Sequence, residues 1–471
     1  MTLFNKLLSL FRKKTPLKTK NMEMTEELVP HYMPSLLYML EHHEKTKGSD
    51  LTKEEVIDIC DKAVFMNVNQ SDKEKLDSQS GYKDIDPGNC WEEWCAYKDN
   101  NPTLKSVNKN SKILLESKSP NCPLAVIVEE YQTCTYMYLI HLKEDGIQSI
   151  ICSTWIRNHQ EAPDDFELAI MQEGFPTMMP KEFSNHPNGK ESLQPEDLRC
   201  VWFEEGDGVA LLEKDSVLGI IPCWANDKVP GYSKDCIKEN SFVFPITEEN
   251  VLLERIKKAD EFWNSWDDDP WTPFLNSGLE VLYKEFGEEK KYYAIDNGQW
   301  PIKGMARFEK GDMTYLVTIG VSLIPQPFVE RVTETPEKLR RIELALAIKT
   351  NELMKNEMAI CSFLSAQTTI PWNTLAWLGH GHTIECNSIF GKEGEFPFGL
   401  FINGNVVASL PQIELKPFRG DDINILWLAP ITESEFHIVN ATNADAFLNS
   451  VQNKKRSWIF GETILGKESE K

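Results

Sequence analysis

Two histidines one residue apart, His380 and His382, stand in the run Trp377-Leu378-Gly379-His380-Gly381-His382-Thr383-Ile384. Side chains alternate along a strand, so both imidazoles would project to one face there and could share a metal ion. Glu385 and Cys386 follow closely enough to complete a ligand set, and such a centre would make the chain a metal-dependent hydrolase. Ligand number is what specifies these sites, however, and a lone H-x-H between glycines equally marks a tight turn beside a packed tryptophan. The preferred reading is of satisfied imidazoles that bond backbone or line a groove, with no metal and no cofactor.

The acidic clusters are the next candidates. Glu204-Glu205-Gly206-Asp207 and Asp267-Asp268-Asp269 could present paired carboxylates or hold a hard cation. The first lacks the twelve-residue calcium-loop pattern and reads as a solvated turn. The second follows a predicted helix end, where its charge opposes the macrodipole, which leaves more room for a partner. Gly320-Val321-Ser322 lacks the second glycine of a nucleophile elbow, and no glycine-rich phosphate loop occurs. Cys134, Cys152 and Cys223 lie in apolar strand text as buried, inert thiols. His437 alternates like a strand residue in Glu435-Phe436-His437-Ile438-Val439. Catalysis therefore finds no support. Trp91 and Trp94, three apart on a predicted helix, share a face, and Trp263, Trp266 and Trp271 bracket the aspartates. An aromatic surface rimmed by carboxylates suits a basic-aromatic protein partner.

The elements that must carry these residues are mixed. Residues 1–24 form a basic leader and linker, and 25–118 a small, mainly helical region. Leu36, Leu37 and Leu40 give one apolar face there, and Thr52-x-x-Glu55 is a capping box. Residues 119–270 read as an α+β section. Its predicted strands lie at 123–128, 135–140, 147–154, 199–203, 208–212 and 217–222, with helices over 164–172 and 251–266. From 271 to 460 strands are predicted at 315–322, 341–348, 383–384, 398–402 and 424–430, and helices over 352–365 and 443–452. Strands and helices alternate without a βαβ rhythm, so the class is α+β, multidomain, with mixed sheets and flanking helices.

At 471 residues the chain is long for one core, and its 13 tryptophans argue for large buried aromatic surfaces. Net charge is −23, yet the first 20 residues carry +6, which leaves −29 on the other 451. Such a body repels nucleic-acid phosphates and favours a basic partner. Eleven cysteines without a C-x-x-C suit free thiols in a reducing cytosol. The apolar run at 3–11 precedes its basic residues, the reverse of a secretory signal, and is too short to span a bilayer. Membrane-surface contact by residues 1–14 is the lesser expectation beside a frayed leader. The cytoplasm is the expected compartment.

A family pattern is also visible. The strand Tyr315-Leu316-Val317-Thr318-Ile319-Gly320-Val321-Ser322, the Arg341-Ile342-Glu343-Leu344 run and Trp377-Leu378-Gly379-His380-Gly381-His382-Thr383 resemble the bacterial Suppressor of fused domain. The resemblance extends over residues 275–440 and takes in Phe398-Gly399-Leu400-Phe401 and the 418–430 stretch. Residues 201–213 and 231–236 look like a companion region found upstream of that domain. The resemblance implies an α+β binding fold without established enzyme activity. The eukaryotic namesake binds a transcription factor and holds it in the cytoplasm. Bacterial relatives are proposed immunity proteins against polymorphic toxins. It places His382 at the G-H-T position, whereas His380 stands where other residues, often aromatic, also occur. The expectation is a non-enzymatic immunity-type protein that sequesters a basic toxin domain or other protein, with Trp377, His380, His382, Glu204, Glu205 and Asp207 as contacts. A purely structural scaffold is the remaining class.

Overall fold

The computed structural model describes residues 28–32, 36–47, 51–63, 65–69, 85–100, 111–142, 148–167, 176–386, 396–452 and 456–462. The leader and most of the helix predicted over 164–172 lie outside these residues. Two units are compact, 1–109 and 110–471, and each is described by itself. No helix among the described residues is long and apolar enough to cross a membrane.

In the first unit β1 (Leu28–Tyr32) pairs antiparallel with β2 (Phe65–Asn69), strands that the helical reading of this region does not contain. Among the described residues three helices accompany them: α1 (Leu36–Lys47), α2 (Lys53–Lys62) and α3 (Cys90–Asn100). The Thr52 side chain accepts from the Glu55 amide and the Glu55 carboxylate accepts from Thr52 N, so α2 starts on the predicted capping box. Leu36, Leu37 and Leu40 pack against Val56, Ile59, Cys90 and Trp94. Trp94 is core and Trp91 half-buried, so the Trp91/Trp94 pair is not an exposed aromatic face.

The second unit opens with an antiparallel meander of β3 (Lys112–Lys118), β4 (Leu124–Glu130), β5 (Cys134–Leu142) and β6 (Gln148–Asn158). The strand at 112–118 thus pairs with the middle section. A second meander, β7 (Leu198–Trp202), β8 (Val209–Glu213) and β9 (Ser216–Ile221), is extended by β10 (Tyr232–Ser233) and β11 (Phe244–Pro245). Helix α4 (Val251–Asn264) buries Leu252, Ile256, Ala259 and Phe262, a spacing of three to four that keeps one face on the core. Asn250 caps it, and Asp269 in the left-handed region ends its 3-10 extension. Helix α5 (Trp271–Phe286) follows.

A seven-stranded mixed sheet completes this unit in the order β12 (Lys291–Ala294), β13 (Gly304–Lys310), β14 (Met313–Ile319), β15 (Arg341–Lys349), β18 (Ile423–Ile431), β17 (Phe398–Asn403), β16 (Thr383–Glu385). Its pairs are antiparallel except β15 with β18, which is parallel. Strand β15 is buried along nearly its whole length, as expected of a strand covered on both faces. Leu344, Leu346 and Ile348 point into a core shared with β3–β9, whereas Ala345 and Ala347 face α5 and the C-terminal helices. The predicted 352–365 helix is two, α6 (Thr350–Lys355) and α7 (Glu357–Gln367), followed by the short α8 (Ile370–Thr374). After β18 come α9 (Glu433–Ala441) and α10 (Ala444–Val451). His437 therefore sits on a helix. Thr432 and Glu435 form a capping box that starts α9, and this overturns the strand reading of 435–439.

Gly320 ends β14 with φ +104°, and an added Cβ would fall 2.6 Å from the Trp271 ring and 2.7 Å from the Ile302 carbonyl. Gly320→Ala should destabilise the protein by about 1–3 kcal/mol through left-handed strain alone, read from urea unfolding. An unchanged midpoint would show that the turn relaxes.

Candidate partner-binding site

The His380/His382 segment is a turn rather than a strand. His382 N bonds the Gly379 carbonyl, Gly381 adopts φ +94°, and β16 begins only at Thr383. Strand alternation does not apply, and the two imidazoles go to different partners. His380 Nδ1 accepts from the Asn403 amide at 3.3 Å, which leaves Nε2 to donate to Asp445 Oδ1 at 3.2 Å. His382 packs edge-on against Trp377, centroids 4.6 Å apart. Burial lowers its pKa, helped by the neighbouring His380, although a bond with the Trp377 backbone opposes the shift, which favours the neutral ring. Trp377, His380 and His382 are half-buried, Glu385 is exposed and Cys386 is fully buried. Among the described residues no three His, Cys, Asp or Glu side chains converge as metal ligands.

The acidic turn is not solvated. Glu205 and Asp207 are each 3% exposed and Glu204 is half-buried. The physical reason is a set of arginines from distant elements. Arg340 Nη1 donates to Glu205 Oε1 at 2.9 Å and Nη2 to Asp421 Oδ1 at 2.8 Å. Arg341, wholly buried, donates to Asp421 Oδ2 at 2.7 Å and Glu204 Oε2 at 2.9 Å. Its Nη1 also bonds the carbonyls of Ser322 and Leu323. Arg255 of α4 bridges Glu205, at 2.9 Å, and Glu330 while its guanidinium lies over the Phe203 ring. Arg419 approaches Glu204 at 3.7 Å. These carboxylates tie the β7–β8 turn to the start of β15 and to the hairpin before β18.

Beside this lattice Glu343 is buried, with no cation in bonding contact among the described residues. Its carboxylate accepts from Gly320 N at 2.8 Å, Ser322 N at 3.1 Å, Ser322 Oγ at 2.6 Å and Thr318 Oγ1 at 2.7 Å. The structure thus joins two motifs of the sequence pattern: Gly320-Val321-Ser322 forms the turn that Arg341 and Glu343 hold. The aspartate run behaves differently from either cluster. Asp269 accepts from Thr272 N and Oγ1, so it opposes the α4 dipole but serves the N-terminus of α5. Trp263 and Trp266 pack on Phe262 and Trp300, and Trp263 Nε1 donates to the Trp202 carbonyl. Cys134, Cys152 and Cys223 are buried, and desolvation raises each thiol pKa, that of Cys134 to about 12, which leaves them inert. Sequence reasoning does not single out Arg255, Glu330, Arg340, Arg341 or Asp421 as site residues. Their one signal is a pair of arginines opening an otherwise apolar strand.

Removing one member leaves the others charged and dry. Arg341→Met should destabilise the second unit by about 3 kcal/mol, measured by denaturant unfolding, because Asp421 and Glu204 each lose one of two arginine partners in a buried setting. A loss below about 1 kcal/mol would mean that water replaces the guanidinium. Burial, then the charge of Glu205, raises Asp207 from 3.8 to about 7. Its Oδ2 accepts from Phe328 N while Oδ1 has no partner among the described residues. Burial disfavours the Glu205 charge too, but Arg255 and Arg340 outweigh it and hold Glu205 at about 2. With a raised folded value, Asp207 contributes stability that is complete below 3.8 and is lost as pH climbs through 7. Glu205 acts oppositely, its contribution present above 4.5 and lost as pH falls towards 2. Unfolding free energy should therefore decline between pH 4 and 7, and Asp207→Asn should flatten that slope. An unaltered slope in the variant would show that Asp207 does not carry it.

Comparison with known families matches residues 300–461 to the Suppressor of fused protein (SUFU) family. Solved structures with detectable likeness include the Sufu–Fu complex, at 16% identity and a TM-score of 0.27, covering 38% of this chain and 84% of that one. Another is Drosophila Suppressor of Fused, at 14% identity and a TM-score of 0.31, covering 40% of this chain and 49% of that one. The likeness therefore spans about half the length of the Drosophila chain. No curated protein matches. The C-terminal region of this mixed α+β chain, residues 300–461, carries a Suppressor of fused domain.

Proposed function

We propose that this chain is a cytoplasmic, non-enzymatic binding protein of the bacterial immunity type, which sequesters a basic toxin domain or a similar protein. The observation that carries the reading is the Suppressor of fused match over 300–461, a domain whose namesake has been crystallised with Fu. The net charge of −23 supports a basic partner, since an acidic body speeds and orients its approach. The partner segment docks at the end of the seven-stranded sheet, where the 377–382 turn leads into β16. Trp377 and His382 supply a half-buried aromatic anchor there, and His380 a polar contact already oriented by Asn403 and Asp445. Glu204, Glu205 and Asp207 take part as the internal frame that holds this domain against the middle section, and the steering charge comes from other carboxylates among the 73.

The test is affinity capture of the untagged native protein from its own cells, with partner and metal measured on one eluate. A stoichiometric basic partner without metal supports the proposal. One tightly bound metal per chain and no partner would overturn it in favour of hydrolysis at His380 and His382, and neither would leave a scaffold. Trp377→Ala should weaken the captured complex by about 2 kcal/mol with its melting temperature held, as expected of a central aromatic contact. Equal affinity in a folded Trp377→Ala protein removes this turn from the interface.

A further inference from the structure

A cavity of about 390 Å³ opens between α5, the end of β14 and the 415–418 segment that precedes β18. Its walls are mostly apolar: Phe274 and Leu282 of α5, Ile319 of β14, and Leu415 and Phe418 opposite. Phe274 meets Phe418 edge-on with centroids 5.3 Å apart, and the Arg341 guanidinium backs Phe418 at 5.1 Å, so that ring is held from two sides. Glu343 also borders the cavity. It is wholly buried and bonded to Thr318, Gly320 and Ser322, so it offers an occupant no contact.

The α5 wall is kept open at a cost. Gly278 lies in the middle of the helix and lines the cavity. A glycine there weakens a helix relative to alanine, because it has more backbone freedom to lose. Neither a left-handed conformation nor a close approach requires it, since an added Cβ would meet only Ile319, at an ordinary 3.5 Å. What glycine provides at this position is space. The mouth, in turn, is acidic. Asp268 and Asp269 border it and are exposed, and Asp269 is engaged by Thr272. The Asp268 carboxylate has no bonding partner among the described residues. The cation in the lining, Lys416, is taken up by Glu280 at 3.3 Å.

We infer that this cavity holds a small apolar amine, an aromatic or hydrocarbon body of roughly a dozen non-hydrogen atoms bearing one ammonium group. The body fills the space beside Gly278 between Phe274 and Leu415, and the ammonium stays at the mouth with Asp268. Exposed carboxylates attract weakly, so burial of the body supplies most of the affinity and charge selects against anions. The site shares no residue with the 377–382 turn, and its test is independent of the protein partner proposed above.

Tryptamine, tryptophol and indole-3-acetate carry one ring system and differ in the charge at the end of a short arm. Calorimetric titration of the full chain should show one-to-one binding of the amine, about threefold tighter than the alcohol and at least about tenfold tighter than the carboxylate. Asp268→Asn should narrow the gap between amine and alcohol and leave tryptophol unchanged. Gly278→Met, whose flexible chain suits a helix and fills the space, should melt higher than the parent and bind tryptamine at least about tenfold more weakly. Gly278→Ala should also melt higher while keeping most of the affinity. Lost binding in a more stable protein separates a ligand site from a packing defect, and the ligand series tests the parent whatever the variants' stability. No saturation at millimolar tryptamine, equal affinity for the carboxylate, or undiminished binding in Gly278→Met overturns the assignment.

Discussion

The docking of the middle section on the C-terminal sheet hangs on a charge lattice that water does not reach freely. Four arginines, Arg255, Arg340, Arg341 and Arg419, face five carboxylates, Glu204, Glu205, Asp207, Glu330 and Asp421. Each arginine bridges two carboxylates or approaches one, and each contact joins segments far apart in sequence. Hydrophobic burial would press β7–β9 against the large sheet in several similar arrangements, because apolar contact is non-directional. Fork-shaped guanidiniums accept a carboxylate in few orientations, so the lattice selects one docking. A buried ion pair adds little net stability over an apolar replacement, and specificity of arrangement is its better-supported use.

The lattice also explains why the family motifs sit where they do. Arg341 and Glu343 leave the same face of β15, two residues apart, and both grasp the turn after β14. One arm supplies donors to carbonyls and the other accepts from amides and hydroxyls. That turn then seats Gly320 against Trp271, which couples α5 to the sheet. The histidine turn at the far edge is built separately, from glycine geometry and a tryptophan–imidazole contact.

Regular elements are legible in the sequence because their signals are local. The β4–β9 strands show as β-branched and aromatic runs between turns, and α2 shows through its capping box. His437 misleads because five residues of alternation also fit one helical turn, and Thr432-x-x-Glu435 is the arbiter that decides for the helix. The short β1–β2 pair is hidden by the helices around it. Glu204 and Arg341 are 137 positions apart, and nothing in an acidic tetrapeptide announces a cation at that distance. For the same reason the clustered carboxylates pass as surface. Glycines around His380 hold both strand and turn readings open, and only the backbone conformation of Gly381 separates them.

The parallel contact between β15 and β18 gives this unit a direction in time. Those strands are separated by α6–α8 and β16–β17, so while the chain emerges from a ribosome β15 waits with one edge open. Arg341 waits with it, since Asp421 lies just before β18 and is synthesised 80 residues later. The nascent sheet therefore carries both an unpaired strand edge and an interior cation that has Glu204 but still lacks Asp421 until the last third of its own domain is made. A truncation that looks modest on paper, deleting only the residues after position 420, would strand the centre of the sheet rather than trim its margin.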